Sequence, residues 1–205
     1  MFEVLKNHCD QLVSYFDTIP KERKELLTKI SDYIQSKKDA NLPINLMYVC
    51  THNSRRSHFG QIWAIVAATY FGIENVQTFS GGTEATAFNP NAIQALKESG
   101  FEISTKEMTE NPKYKVAFGT NEFEFTTCFS KVYDDILNPS SNFIAIMTCS
   151  DAEQNCPFIL GVDLRIGTTY SDPKAFDETP QQADKYLERS NQIALECLYV
   201  FSQIN

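Results

Sequence analysis

Residues 44–57 read INLMYVCTHNSRRS, and the way this stretch divides decides the fold. Ile44, Leu46, Met47, Tyr48 and Val49 make an apolar run of strand length with too few polar gaps for one wet face. Such a run predicts a parallel strand covered on both sides, ending at Cys50. A helix is expected to start near Arg55 or Arg56, leaving between them a short loop of the form Cys-x5-Arg-Ser. At a helix N-terminus, a loop of this kind turns its backbone N–H groups around one tetrahedral oxyanion. Here the loop residues are Thr51, His52, Asn53, Ser54, Arg55 and Arg56. The positive helix end and the Arg56 cation favour the thiolate of Cys50. Arg56 can grip two oxygens of the anion with its planar fork, and the Ser57 hydroxyl can hydrogen-bond the sulfur. The spacing alone is weak evidence, since a buried strand-end cysteine beside a solvated arginine pair would also produce it. The preceding strand, the following helix and the tying groups Asn53, Ser54 and Ser57 favour an active loop.

The chain has 205 residues, enough for a substantial core, with ordinary apolar and charged fractions. A net charge of −8 supplies no broad basic face, which argues against a nucleic-acid binder but not against a small anion held by a local positive field. The start, MFEVLKNHCD, lacks a basic segment followed by an apolar one, and no apolar run reaches membrane-spanning length. The expected setting is the cytoplasm, with the six cysteines reduced and not forming a disulfide framework.

Residues 1–42 predict a polar-rich helical hairpin packed on the main domain, its second helix opened by Pro20 and followed by a solvated linker over Lys37–Ala40. Residues 43–205 form the main α/β domain. In it, a helix over 56–71 leads to a strand, VQTFSGG, whose Gly81 and Gly82 let the backbone pass close to the loop. Asn89-Pro90 opens a further helix closed by Gly100. This βαβα order predicts a parallel sheet with its site at the carboxyl end of the first strand. Residues 104–142 fit less well and read as a hairpin or irregular insertion. Phe143–Thr148 is another buried strand, Val162–Ile166 the last one, and Ala183–Ile204 a long helix.

Two more stretches carry chemistry. Phe143–Thr148 terminates at Cys149, and Cys156 follows seven residues later. By residue type, these are two inert thiols or a redox pair, and no His or further Cys at ligand spacing suggests a metal. A helical segment from Cys149 to Cys156 would span roughly 10 Å. A disulfide needs Cα atoms about 4.4–6.8 Å apart, so bonding these two requires the segment to unwind. Asp172-Pro173 is a common turn dipeptide, but after a last strand Asp172 can also be an acid that protonates a leaving oxygen. Tyr170 and Phe176 beside it either line a phosphotyrosine slot or simply pack.

CTHNSRRS resembles the CxGNxxRS loop of the low-molecular-weight protein tyrosine phosphatases and of their relatives, the thioredoxin-coupled arsenate reductases. It departs at His52, where the family carries Gly; a left-handed backbone there would be less penalised by His than by most residues. CSDAEQNCP (149–157) resembles the CSDADxNCP segment of the arsenate reductases, and this match is the more discriminating, because the phosphatases do not need those cysteines. The resemblance runs from about Ile44 to the C-terminus, interrupted by 104–142. It implies a three-layer α/β sandwich around a parallel four-stranded sheet, with an N-terminal helical extension added. It also implies an enzyme without metal or organic cofactor. Cys50, Arg56, Ser57 and Asp172 would act on arsenate, with Cys149 and Cys156 as a disulfide relay and thioredoxin as reductant. The alternative is a phosphatase acting on phosphotyrosine or small phosphomonoesters through a phosphocysteine. A third reading is an anion-binding module in which His52 spoils turnover.

Overall fold

Strand β1 (Ile44–Cys50) is the second strand of a four-stranded parallel sheet in the order β2 (Val76–Gly82), β1, β6 (Phe143–Met147), β7 (Val162–Gly167). The computed structural model describes residues 1–155 and 158–205. Its other elements are helices α1 (Glu3–Val13), α2 (Lys21–Asp39), α3 (Arg56–Tyr70), α4 (Pro90–Glu98), α5 (Ser150–Asn155) and α6 (Gln182–Ser202), and strands β3 (Glu102–Ser104), β4 (Tyr114–Ala117) and β5 (Phe125–Cys128).

The period of two in β1 feeds two cores. Ile44, Leu46 and Tyr48 join Ile144 and Ile146 of β6 in a large cluster with α1, α2, α3, α4 and α6. Met47, Val49 and Cys50 join Phe143, Ala145, Met147 and Cys149 in a smaller one closed by Ala152 of α5 and by Ile159. Apolar residues on both faces make three layers, as a parallel sheet requires. Helix α3 is buried nearly all round. It crosses β1 so closely that a Cβ on Gly60 would stand 2.1 Å from the Tyr48 ring. Behind it lies α6, joined by a hydrogen bond from Trp63 Nε1 to Ser190 Oγ at 2.9 Å.

Residues 102–128 form a separate antiparallel sheet, β3-β4-β5. β4 and β5 pair as a hairpin, and β3, three residues long, adds an edge that its sequence is too short to announce. The N-terminal helices share the main core through Leu5, Cys9, Leu27, Ile30 and Ile34. Helix α2 runs on through Lys37 and Lys38, where the sequence suggested a solvated linker. Lys37 pairs with Asp163 of β7 at 2.8 Å and is mostly covered. Among the described residues, no helix is long and apolar enough to cross a membrane.

Candidate active site

β1 ends at Cys50, 3% exposed, and the next residues wrap into α3, whose first residue is Arg56. The loop is held from outside by its carbonyls. Cys50 O accepts from Thr83 N at 3.2 Å, Thr51 O from Glu84 N at 2.8 Å, and Ser54 O from Asn89 N at 3.0 Å. His52 O accepts from the hydroxyls of Thr86 at 3.1 Å and Ser130 at 2.9 Å. The N–H groups of residues 52–55 have no protein acceptor among the described residues. Carbonyls tied outward and amides left without an internal partner are the arrangement that binds an oxyanion. Gly82 permits it: a Cβ there would stand 2.6 Å from Thr51 O and 2.7 Å from Asn53 N.

The left-handed residue of the loop is Asn53, φ 44°, and not His52. Asn tolerates that region well, so the His that departs from the family pattern carries no backbone strain. The His52 ring sits at the surface, 3.7 Å from Glu84. Asn53 is fully buried; its Oδ1 accepts from Lys131 N at 2.9 Å and its Nδ2 donates to Ser57 Oγ at 2.8 Å. Ser57 Oγ is 3.1 Å from Cys50 Sγ. Since Ser57 already accepts from Asn53, its O–H is available to the sulfur. Beneath the loop, His58 is fully buried, with Nδ1 3.2 Å from Ser80 Oγ and Nε2 unpartnered. Burial, aided by the Lys131 ammonium, pushes this imidazole down to about 3, so it is neutral at physiological pH.

Arg56 is 8% exposed. Its Nη1 donates to Tyr170 O at 2.8 Å and its Nη2 to Asp172 Oδ2 at 2.6 Å, while Nε is buried without a partner. Asp172 is therefore at the site, its Oδ1 also capping Lys174 N at 3.0 Å. Arg55, by contrast, commits its guanidinium to Tyr186 OH at 2.7 Å and Asp177 at 3.4 Å, which leaves its backbone amide for the loop. Ser54 donates to Ala87 O at 2.7 Å and acts as a brace. Tyr170 is not part of a slot: it is 7% exposed, with its hydroxyl on Glu196 at 2.6 Å. Phe176 is half-buried beneath the Lys185 ammonium.

Cys149 lies one strand over from Cys50, 1% exposed and in the same apolar cluster. Its Sγ is 3.4 Å from Thr51 Oγ1 and accepts from Ala152 N at 3.4 Å. Cys156 falls outside the described residues. Burial pushes the thiols of Cys9, Cys128 and Cys197 up to about 12, which makes them inert packing groups. No group of three or more His, Cys, Asp or Glu is gathered for a metal among the described residues. The site's supports Ser130, Lys131, Tyr170 and Glu196 lie far from the loop in sequence. Tyr170 was noticed only as the wall of a slot; Glu196 could have been found as a charge on the apolar face of α6.

No family model matches the chain. Over 114 residues it is 33% identical to arsenate reductase 2 of Staphylococcus haemolyticus, covering 56% of this chain and 66% of the relative, just under two thirds of its length. Over 145 residues it is 28% identical to the arsenate reductase of Bacillus subtilis, covering 70% of this chain and 84% of the relative. A solved arsenate reductase in a phosphate-binding state superimposes with TM-score 0.54 at 15% identity, covering 79% of this chain and 99% of that one. A low-molecular-weight phosphotyrosine phosphatase from Vibrio cholerae O395 gives 0.52 at 14%, covering 78% and 95%. In fold the chain is similar to these phosphatase and arsenate reductase structures, and in sequence it is similar to arsenate reductases. At those identities the solved structures speak for the fold alone, and the likeness to arsenate reductases comes from the two sequence relatives.

Proposed function

We propose that this protein is an arsenate reductase working through three cysteines. Cys50 thiolate attacks arsenate seated on the loop amides and Arg56, forming a sulfur–arsenic bond, while Asp172 gives its proton to the departing oxygen, which leaves as water. Cys149 thiolate then attacks the Cys50 sulfur. The sulfur–arsenic electron pair passes to arsenic, arsenite leaves, and a Cys50–Cys149 disulfide remains. Cys156 attacks Cys149, Cys50 departs as thiolate, and the resulting Cys149–Cys156 disulfide is reduced by an external dithiol such as thioredoxin in a cytoplasmic setting. The observation that carries this reading is the position of Cys149, two residues past the end of the neighbouring strand, buried in the same apolar cluster as Cys50 and with its sulfur 3.4 Å from Thr51 Oγ1 of the loop.

The second reading is a phosphatase for phosphotyrosine or small phosphomonoesters, which needs only Cys50, Arg56 and Asp172; the Arg56–Asp172 pair at 2.6 Å favours it equally. The burial of Tyr170 removes one wall of a phosphotyrosine slot and tilts the balance towards a small anion. A Cys149→Ser variant separates the two. Thioredoxin-coupled arsenate turnover should vanish while p-nitrophenyl phosphate hydrolysis stays within about threefold of wild type, and Cys50→Ser should abolish both by at least about 10³-fold. Arsenate turnover unchanged in Cys149→Ser would refute the relay.

A further inference from the structure

The N-terminal helices lie outside the stretch that resembles the phosphatases, yet one of their side chains reaches the support of the active arginine. Glu196 of α6 is 4% exposed, a carboxylate that burial would penalise heavily if left unpaired. Its partner is Arg23, in the first turn of α2: Nε donates to Oε1 at 3.0 Å and Nη2 to Oε2 at 2.7 Å. The same Nη2 donates to the carbonyl of Thr168. The Arg23 guanidinium also stacks 5.0 Å from the centre of the Tyr170 ring, and the Tyr170 hydroxyl donates to Glu196 Oε2 at 2.6 Å. Tyr170 N donates to Thr148 O at 3.0 Å, and the Tyr170 carbonyl is what receives Arg56 Nη1.

We propose that Arg23 is a positioning residue for Arg56, acting through Glu196 and Tyr170. The proposal rests on the anion-loop reading above. Arg23 holds the 168–172 segment at the Thr168 carbonyl, the Tyr170 ring and, through Glu196, the Tyr170 hydroxyl. That segment in turn supplies both acceptors, Tyr170 O and Asp172 Oδ2, that aim the Arg56 fork. A guanidinium binds a tetrahedral anion directionally, so a loosened frame weakens anion binding without removing any charge from the site. The N-terminal helices are on this view part of the binding apparatus. Lys37 and Tyr33, which hold the far end of α2 to Asp163 at 2.8 and 3.0 Å, dock the helix without touching the frame.

The test uses the full chain and measures, by peptide mass mapping, the inorganic phosphate concentration that half-protects Cys50 from iodoacetamide. Arg23→Met should raise it about tenfold, and Arg23→Lys, which keeps the charge but not the two-pronged geometry, about threefold. Lys37→Ala should lower thermal stability and leave phosphate protection unchanged. Because Arg23→Met strands a buried carboxylate, the double variant Arg23→Met/Glu196→Leu, free of that charge, is measured as well. The proposal predicts that its protection is still weakened, since Tyr170 has lost both anchors. Wild-type protection constants in both Arg23 variants and in the double variant would overturn the positioning role of Arg23. Failure of phosphate to protect wild-type Cys50 would instead overturn the anion-loop reading, and this proposal with it.

Discussion

β1 and β6 are neighbours in the parallel sheet; β1 ends at the buried Cys50 and β6 is followed two residues on by the buried Cys149, yet the chain leaves the two strand ends in different ways. After Cys50, four successive carbonyls but for that of Asn53 are fastened to residues 83–89 and Ser130, and Asn53 bridges Ser57 to Lys131. The fifteen-residue helix that follows is buried nearly all round. After Cys149 comes α5, six residues long, tied to β7 through Glu153 and Arg165 at 3.1 Å. A helix so short has little stability of its own, and its hydrogen bonds are cheap to exchange. The contrast suits a division of labour. An attacking sulfur gains from a fixed frame that costs no reorganisation during reaction, whereas a sulfur that must reach two partners in turn needs an element that can rearrange.

The largest expected effect on turnover comes from closing the space the loop needs. In Gly82→Ala the new Cβ would meet three backbone atoms of the loop region, Glu84 O at 2.3 Å being the nearest. Because backbone cannot swing aside as a side chain can, we expect a loss of about 2–3 kcal/mol in stability and about 10²-fold in both arsenate and p-nitrophenyl phosphate turnover. Denaturant titration and steady-state assays check this; equal activity would mean that the loop is not the rigid partner.

Asn53→Ala follows. It places Ala at φ 44° and removes the links to Ser57 and Lys131. About 1 kcal/mol for the left-handed backbone and about 1 kcal/mol for each hydrogen bond sum to roughly 3 kcal/mol. Both turnovers should fall together, and the alkylation rate of Cys149 should stay as it is.

Acidity probes the floor of the same loop. His58 takes up its proton only near pH 3 when folded, but near 6.5 when unfolded. Between those values the unfolded chain binds more protons, so the stability tied to His58 is complete above about pH 6.5 and drains away as pH falls towards 3. His58→Gln should flatten the dependence of unfolding free energy on pH in that window; an identical slope would place His58 outside the loop's support. The smallest effect belongs to His52→Gly, since His52 is neither left-handed nor buried. We expect both activities within about twofold of wild type.

The strand–loop–helix frame around Cys50 and the sheet were legible because their signals are local: an apolar strand, a fixed spacing from Cys50 to Arg56, and glycines where the backbone comes close. What escaped is what depends on distant chain. Nothing in THNSRRS says that Asn53 and not His52 takes the left-handed turn, because that choice is settled by Lys131 N and Ser57 Oγ closing on the Asn53 amide. Tyr170 sits beside Asp172 in sequence and offered itself as a wall of the site; a carboxylate on α6 draws its hydroxyl into the core instead. Lys37 reads as solvated until β7 brings Asp163 beside it. Arg55 and Arg56, adjacent and alike, part company only because Tyr186 and Asp177 capture the first.

The division between a fixed and a rearranging strand end is tested most directly by one turnover of arsenate on a Cys156→Ser variant, quenched with acid and mapped by peptide mass spectrometry. The account predicts one arsenite released per chain and a disulfide joining Cys50 to Cys149. Arsenite released with Cys149 still a free thiol, or with Cys50 bonded to any other cysteine, would contradict it.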